Sequence, residues 1–581
     1  MKILLVAHGY PPHSLAGVEV YTRWFARTLA ARHEVRVFST FTPPEGEDLS
    51  LVDELLDGIP VTFLVNRFAD YDPIREVRHD AIADRFAVHL ERVRPDLVHF
   101  QHLIKLSATL LDVCRARGIP TVLTLHDYWF LCPVITLLRR DLELCPAPGD
   151  LAWCTRCEVA TAYLNREEAG TYYIAGMLEP MAKPGQWAAL RGIYADRFDP
   201  VFAPEDATAP AVATLRIGLV RRFLRDRLDL AGAVASPSRF LEDLLESHGL
   251  APGRIRHLPN GIETAGLRDA DAAPPPPPLR VLYLGTINKH KGVHVLVEAL
   301  NRLVDRPVEA DIHGVGPDVR YEAWVRGLVR NARVRFGGRY DRADLPALLA
   351  SHHVVVMPSL WYENYPIVIR EAFAAGVPVI APRLGAMPEA IRDGVDGLLY
   401  GAGDAGALAA ALARLADEPE LLGRLSRGIG PVLGMDEHVA AYEALYAEAA
   451  AAARRGEPTA GGRRAPRILL AGPSSSGAGF ARVLGDLLVA GTRPPRPEVT
   501  HVGPRGDLAP ALEAFTARLG LAHAVRSSAE PAAAQAAVAA GQVDCAVLLP
   551  GVEESVAALL RAAGIPILDP DVPLHHLEHL V

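Results

Sequence analysis

No segment of this 581-residue chain is apolar for long enough to span a bilayer. Basic charge is not in excess either. Sixty Lys and Arg stand against 69 Asp and Glu, leaving a net charge of −9 and a pI near 6.2. That balance argues against a nucleic-acid backbone as partner. The opening run MKILLVAHGY carries one lysine and too short an apolar stretch for the hydrophobic region of a signal peptide, so it reads as a first buried strand. The expectation is a cytoplasmic protein, with at most peripheral contact at the inner face of a membrane. Cysteine is scarce: Cys114, Cys132, Cys145, Cys154, Cys157 and Cys545. In a reducing compartment this excludes a disulfide scaffold.

What is present is the composition of an ordinary globular protein, half hydrophobic and 22% charged, at a length that suits three or four domains. Residues 1–130 alternate strand-like runs (Lys2–Ala7, Glu34–Phe38, Val61–Val65, Leu97–Phe100, Thr121–Leu125) with helix-like stretches such as Val18–Ala31 and Asp80–Val93. Alternation of this kind predicts a parallel sheet covered by helices on both faces. Residues 131–235 break the pattern and hold four of the cysteines. Five consecutive prolines end a stiff connector at 271–278. Residues 279–453 then repeat the first plan, with strands at Arg280–Gly285, Val308–His313, Val334–Phe336, Val354–Met357 and Pro378–Ala381, and a last helix over Glu437–Ala453. Residues 454–466 (RRGEPTAGGRRAP) read as a flexible linker. Residues 467–581 start a third, smaller α/β unit, in which the alanine run 532–540 favours helix. The first domain is placed at 1–270, including the cysteine-bearing insertion.

The stretch SLWYENYPIVIREAFAAGVPVIA is the most informative. Glu363 and Glu371 are eight residues apart with Pro366 between them. Proline favours the first turn of a helix, and Gly376 and Pro378 stop it. Glu363 is therefore expected on the loop before the helix, and Glu371 in its second turn. Amides around Asn364, Tyr365, Pro366 and Ile367 then form a helix end that attracts phosphate. A carboxylate on either side of such an end could hold a nucleotide sugar. Two carboxylates could instead flank a glycosidic bond for hydrolysis, but their spacing around a helix start does not set them on opposite sides of a sugar.

Three further places fit the first. Gly17 follows the first strand, where a glycine lets an amide approach a diphosphate; a plain strand-to-helix turn fits equally. LGTINKHKGVHVLVEAL repeats that plan, with Lys291 before the helix as a cation for a leaving diphosphate and Lys289 as its substitute. His126 ends the fifth strand, and strand carboxyl ends are where open α/β sheets bind ligands.

On these residues the chain resembles the retaining glycosyltransferases of the GT-B class, family 4. Ala16-Gly17-Val18-Glu19 is similar to that family's Gly-Gly-x-Glu loop, and Lys291-Gly292 to its Lys-Gly. Glu363 and Glu371 are similar to its glutamate pair, His126 to its active-site histidine, Asn260-Gly261 to its hinge-side turn, and Gly314 and Gly316 to its short glycine turn. The resemblance covers roughly residues 1–450. It implies a fold of two Rossmann-like domains facing a cleft. It also implies transfer of a hexose from a nucleotide-diphosphate sugar to a glycan or lipid-linked acceptor, in cell-surface polysaccharide or glycoconjugate synthesis. His126, Glu363 and Lys291 become the catalytic set. The donor falls to Gly17, Gly285, Thr286, Lys291, Gly314, Glu363, Asn364, Tyr365, Pro366, Ile367 and Glu371, with no metal or other cofactor in the chemistry. One departure stands out: Thr286 occupies the place where the family has an arginine after the glycine ending this strand. A non-catalytic binding protein on the same scaffold, or a nucleotide-sugar epimerase, remains as an alternative.

The cysteines Cys132, Cys145, Cys154 and Cys157 are spaced by 12, 8 and 2 residues. The final Cys-x-x-Cys has zinc-knuckle spacing, and four thiolates suit a structural, tetrahedral zinc. Unrelated reduced thiols or a redox-linked pair fit the same spacing. Tyr172, Tyr173, Trp187, Tyr194 and Phe198 could meet a lipid-linked acceptor or pack a local core. GPSSSGAGF in the last unit lacks the lysine of a phosphate loop.

Overall fold

The computed structural model describes residues 1–162 except 44–45, 68–73, 133 and 140–142, residues 208–455 except 268–276 and 317–318, and a partial set between 467 and 568. Three sheets follow one another along the chain. The first holds β1 (Lys2–Val6), β2 (Glu34–Phe41), β3 (Leu51–Leu56), β4 (Ile59–Val65), β5 (Leu97–Phe100), β6 (Thr121–Thr124), β7 (Ala233–Ser236) and β8 (Ile255–His257), in the order 3-4-2-1-5-6-7-8. Every pair is parallel except the β3–β4 hairpin. The second holds β9 (Leu279–Leu284), β10 (Val308–His313), β11 (Val334–Gly338), β12 (Val354–Val356), β13 (Val379–Pro382) and β14 (Gly397–Tyr400), in the order 11-10-9-12-13-14. Both are doubly wound sheets with a reversal of strand order beside their first strand, between β1 and β5 and between β9 and β12. Such a switch point opens a crevice at the strand carboxyl ends.

The central strands are continuous apolar runs, ILLV, LVHF and VVV, buried on both faces as parallel strands under two helix layers must be. Residues 467–568 contain a third parallel sheet of β15 (Arg467–Ala471), β16 (Glu498–Val502), β17 (Val525–Ser528), β18 (Cys545–Leu548) and β19 (Ile567–Leu568), in the order 17-16-15-18-19. The tip GPSSSGAGF, nearly all of the alanine run, the five insertion aromatics and most of both linkers lie outside the described residues.

The final helix of the second unit, Met435–Arg455, does not stay with its own sheet. It packs against the helix Gly17–Ala30 and against β6 and β7 of the first unit. A buried chain of hydrogen bonds fixes it there. Tyr446 Oη meets His99 Nδ1 at 2.7 Å, His99 Nε2 meets Thr124 Oγ1 at 2.8 Å, Thr124 Oγ1 meets Tyr442 Oη at 2.8 Å, and Tyr21 Oη meets His438 Nε2 at 2.7 Å. One apolar cluster consequently runs from Ile3 and Phe25 through Tyr442 to Ile369 and Met387, across both lobes. Buried polar groups without these partners would each cost about 1–3 kcal/mol, so the network specifies how the helix seats as well as holding it.

The histidines in and around this network are neutral because burial penalises their charged form. His99 is held well below the usual imidazole range and His438 near 4; His89, His290 and His294 also stand near 4. The unfolded chain takes up protons near pH 6.5 that the native state refuses. Stability therefore falls as pH drops from about 6.5 toward 4, by about 1.4 kcal/mol per pH unit for each such histidine. Thermal unfolding midpoints of the full chain should change little from pH 7.5 to about 6.5 and fall from there to pH 5; a midpoint that holds level or rises between pH 6.5 and 5 contradicts these assignments.

Candidate functional site

The expected residues gather where the two switch points face each other. Beyond β9 the chain turns at Gly285 and runs through an exposed Thr286 into a 3-10 turn, Lys289–Lys291. Asn288 caps that turn, its side chain accepting from the Lys291 amide at 3.3 Å. Gly292 follows with φ +70°, and a Cβ there would collide with the Pro358 carbonyl. This glycine is thus required for the Lys291 turn to lie against the loop beyond β12. Gly314 plays the same part at the end of β10: φ is +141° and a Cβ would strike the Gly285 carbonyl.

The loop beyond β12 supplies Glu363, which is 7% exposed. One oxygen, Oε1, accepts from Lys291 Nζ at 2.7 Å, Trp361 Nε1 at 2.6 Å and Ser359 Oγ at 2.9 Å. Burial pushes this carboxyl's pKa up, but the Lys291 ammonium and the other two donors outweigh burial and hold it below the ordinary range. It is an anion at neutral pH. Lys291 also lies 4.8 Å over the Trp361 ring. The helix begins at Ile367 with Pro366 as its N-cap, one residue later than proline's usual place in the first turn. The helix end is as expected, with first-turn amides that have no partner within the helix.

Glu371 sits in the second turn, 6% exposed. Burial raises its pKa, and Arg342, at 2.7 Å, counters that rise. Arg342 also donates to the Glu263 carbonyl at 3.0 Å and lies 4.2 Å over the Trp24 ring, so it ties Glu371 to the first lobe and the hinge side.

Across the cleft, His126 follows β6. Its Nε2 lies 2.9 Å from the Gln101 side-chain oxygen, and burial brings its pKa to about 3. With Nε2–H given to Gln101, the neutral ring has only Nδ1 left, as an acceptor. Beside it His102 Nε2 meets Asp127 Oδ2 at 2.6 Å, while His102 Nδ1 accepts from the Ile104 amide at 2.9 Å. His8 packs edge-on to His102 at 4.6 Å and reaches Glu19 at 3.3 Å. Ser14 donates to Glu19 at 2.7 Å, so the motif's glutamate braces the loop that Gly17 ends. His99 belongs to the closing-helix network instead, and His13 pairs with Glu54.

Two of the expected donor residues are engaged elsewhere through their side chains. Asn364 Nδ2 donates to the His126 carbonyl at 2.8 Å and its Oδ1 accepts from Ser238, while Tyr365 Oη donates to the Asn260 carbonyl at 2.7 Å. These bonds stitch the glutamate loop to the first lobe and leave ligand contact at these positions to the backbone. Arg342, Trp361, Ser359 and Gln101 had no sequence signal: none belongs to a motif that names its partner, and the fold places them. Lys289, the substitute cation, is buried against Glu143 of the insertion at 3.4 Å.

Arg342→Met removes the counter-charge from Glu371, so that carboxyl's pKa rises further. The unfolded carboxyl ionises near 4.5, so the loss of stability grows as pH climbs above that value, reaching about 1–3 kcal/mol at pH 7.5. Denaturant unfolding should show the variant closer to wild type at pH 5 than at pH 7.5; an equal loss at both contradicts the pairing.

Comparisons with known proteins bear on the family. A family model described as "Glycosyl transferases group 1" matches residues 278–418, and one described as "Glycosyltransferase Family 4" matches residues 15–217. MMP alpha-(1->4)-mannosyltransferase of Mycolicibacterium hassiacum is 30% identical over 432 residues, 73% of this chain and 92% of that protein. Glycogen synthase of Mycobacterium tuberculosis is 31% identical over 220 residues, 37% of this chain and 53% of that one. Phosphatidyl-myo-inositol mannosyltransferase of Mycobacterium leprae is 37% identical over 163 residues, 27% of this chain and 43% of that one. The chain thus spans about half the length of these last two relatives. Among solved structures, sucrose-phosphate synthase from Thermosynechococcus elongatus superposes with a TM-score of 0.50 at 20% identity, covering 78% of this chain and 98% of that one, a likeness of fold.

Proposed function

This chain belongs to the family 4 glycosyltransferases of the GT-B fold, and from that premise we propose that it transfers a hexose, with retention of anomeric configuration, from a nucleotide-diphosphate sugar to a glycan or lipid-linked acceptor. The observation that carries the reading is the Lys291–Glu363 pair, set at the switch point of the second sheet and joined through Asn364 to the backbone of His126. Donor binding redistributes that pair. A diphosphate offers Lys291 a stronger anionic partner, in the lee of the amides that open the helix Ile367–Ala374. Glu363, still held by Trp361 and Ser359, then turns its capacity as an acceptor to hydroxyls of the donor sugar. Glu371 takes the ribose, exchanging Arg342 for the two hydroxyls.

The reaction breaks the bond between the anomeric carbon and the phosphate oxygen and forms one from that carbon to the acceptor oxygen on the same face. The departing phosphate oxygen takes the acceptor's proton, so no side-chain base is required. Lys291 and the helix amides compensate the charge that grows on the leaving diphosphate, which is the role we assign them in place of a metal ion. His126, neutral and with its Nε2–H engaged, accepts from a hydroxyl at the reacting sugar through Nδ1. With Thr286 where the family has an arginine, Lys291 bears a larger share of the diphosphate charge.

That same threonine favours a second reading, a binding scaffold without turnover. The two separate in one experiment. Incubation with a panel of nucleotide sugars and no acceptor should release sugar slowly from one donor, with the first-formed anomer seen by NMR matching the donor. Lys291→Ala and Glu371→Ala should each lower that rate by about 100-fold or more. A chain that raises its melting point with a nucleoside diphosphate yet hydrolyses no donor is a scaffold. If neither substitution changes turnover or nucleotide affinity, the site is wrongly placed.

A further inference from the structure

The cysteine-bearing insertion begins directly after the acceptor-side strand end. Cys132 follows Trp129-Phe130-Leu131, and a short antiparallel bridge pairs Leu138 with Leu144. The Cys145 amide donates to the Leu137 carbonyl at 2.8 Å. Cys154 and Cys157 lie one turn apart on the helix Leu151–Ala162, hence on one face. All four cysteines, from three separate pieces of chain, line one small cavity together with Val134, Leu137, Leu138, Pro148, Gly149 and Trp153.

One feature of the surroundings supplies a buried counter-charge. Arg221, 8% exposed, enters from the helix Thr208–Leu228 and donates to Cys154 Sγ at 2.7 Å. Its other bonds are to the carbonyls of Gly149 and Leu131, and its Nε has no partner. No carboxylate pairs with it among the described residues. A buried guanidinium without an acidic partner needs an anion nearby, because burying an unpaired charge costs several kcal/mol. Four thiolates around a divalent ion carry two net negative charges, and Arg221 stands where it would balance part of them.

We infer that Cys132, Cys145, Cys154 and Cys157 bind one zinc ion as a tetrahedral structural site, with Arg221 as its counter-charge. As they stand, no three His, Cys, Asp or Glu side chains among the described residues are gathered closely enough to be a coordination sphere. Binding draws the sulfurs inward across the cavity they already line. The ion fastens the Leu138–Leu144 hairpin to the helix pair behind it. That hairpin also carries Glu143 to Lys289 of the second lobe, so the site braces a contact across the cleft. It takes no part in the transfer chemistry, and its existence does not depend on the donor assignment.

The test is the metal content of the full chain, purified without added metal or chelator, measured by plasma emission after gel filtration. About one zinc per chain is expected, falling to near zero in Cys154→Ser/Cys157→Ser while Cys114→Ser keeps it. Replacing zinc with cobalt(II) in the wild-type chain should give intense sulfur-to-cobalt charge-transfer absorption and tetrahedral ligand-field bands, a readout that stands even if the double variant misfolds. X-ray absorption should place sulfur about 2.3 Å from the metal. Less than about a tenth of a zinc per chain with no charge-transfer band for cobalt overturns the proposal. So does zinc retained in full by the folded double variant, or an iron–sulfur absorption spectrum.

Discussion

The site rests on one buried carboxylate oxygen that accepts three donors. Glu363 is almost wholly withdrawn from water, and an unpaired anion there would be prohibitive. Lys291, Trp361 and Ser359 make it tolerable, and in doing so they fix the loop beyond β12 against the turn beyond β9. Gly292 is obligatory for that approach. The lysine is thereby neutralised, and its ammonium is held at the Glu363 carboxylate. Glu371 and Arg342 repeat the arrangement on the other side of the helix start.

A site divided between two lobes is useful only if their relation is defined. Here the last helix of the second unit is given to the first, through a buried chain of tyrosines, histidines and a threonine. Asn364, Tyr365 and Arg342 add polar stitches close to the chemistry. The Tyr362 ring stacks on Phe240 at 5.2 Å, and Glu389 accepts from the Arg239 and Phe240 amides. The second lobe thus grips the first immediately beside the glutamate pair.

Much of this was legible in the sequence because parallel strands buried on both faces are plain apolar runs. Leu97–Phe100, Val308–His313 and Asp80–Val93 have the bounds the sequence suggested. The hairpin strand Leu51–Leu56 was missed because it is an edge strand of mixed polarity, and Ala233–Ser236 because its four residues follow an irregular insertion. The helix–loop setting of Glu363 and Glu371 was readable from Pro366 and Gly376. Their partners were not: Arg342, Trp361 and Gln101 come from loops whose sequence says nothing of what they touch. Nor could hydrophobic periodicity show that the closing helix crosses to the other lobe, since it reports that a face is buried and not against what. Chains of the same family supply the likeness of motif, while the pairing of Lys291 with Glu363, and of Asn364 with the His126 carbonyl, comes from the fold alone.

In the proposed reaction the Lys291 ammonium, released from Glu363, is the main cation for the donor's diphosphate. Calorimetric titration of the matching nucleoside diphosphate and of the bare nucleoside into wild type and Lys291→Met addresses it most directly. The substitution should weaken diphosphate binding by about 10- to 100-fold, as loss of a charge-assisted bond does, and leave nucleoside binding unchanged. Equal diphosphate affinity in the two proteins, with Lys291→Met still folded, would contradict it.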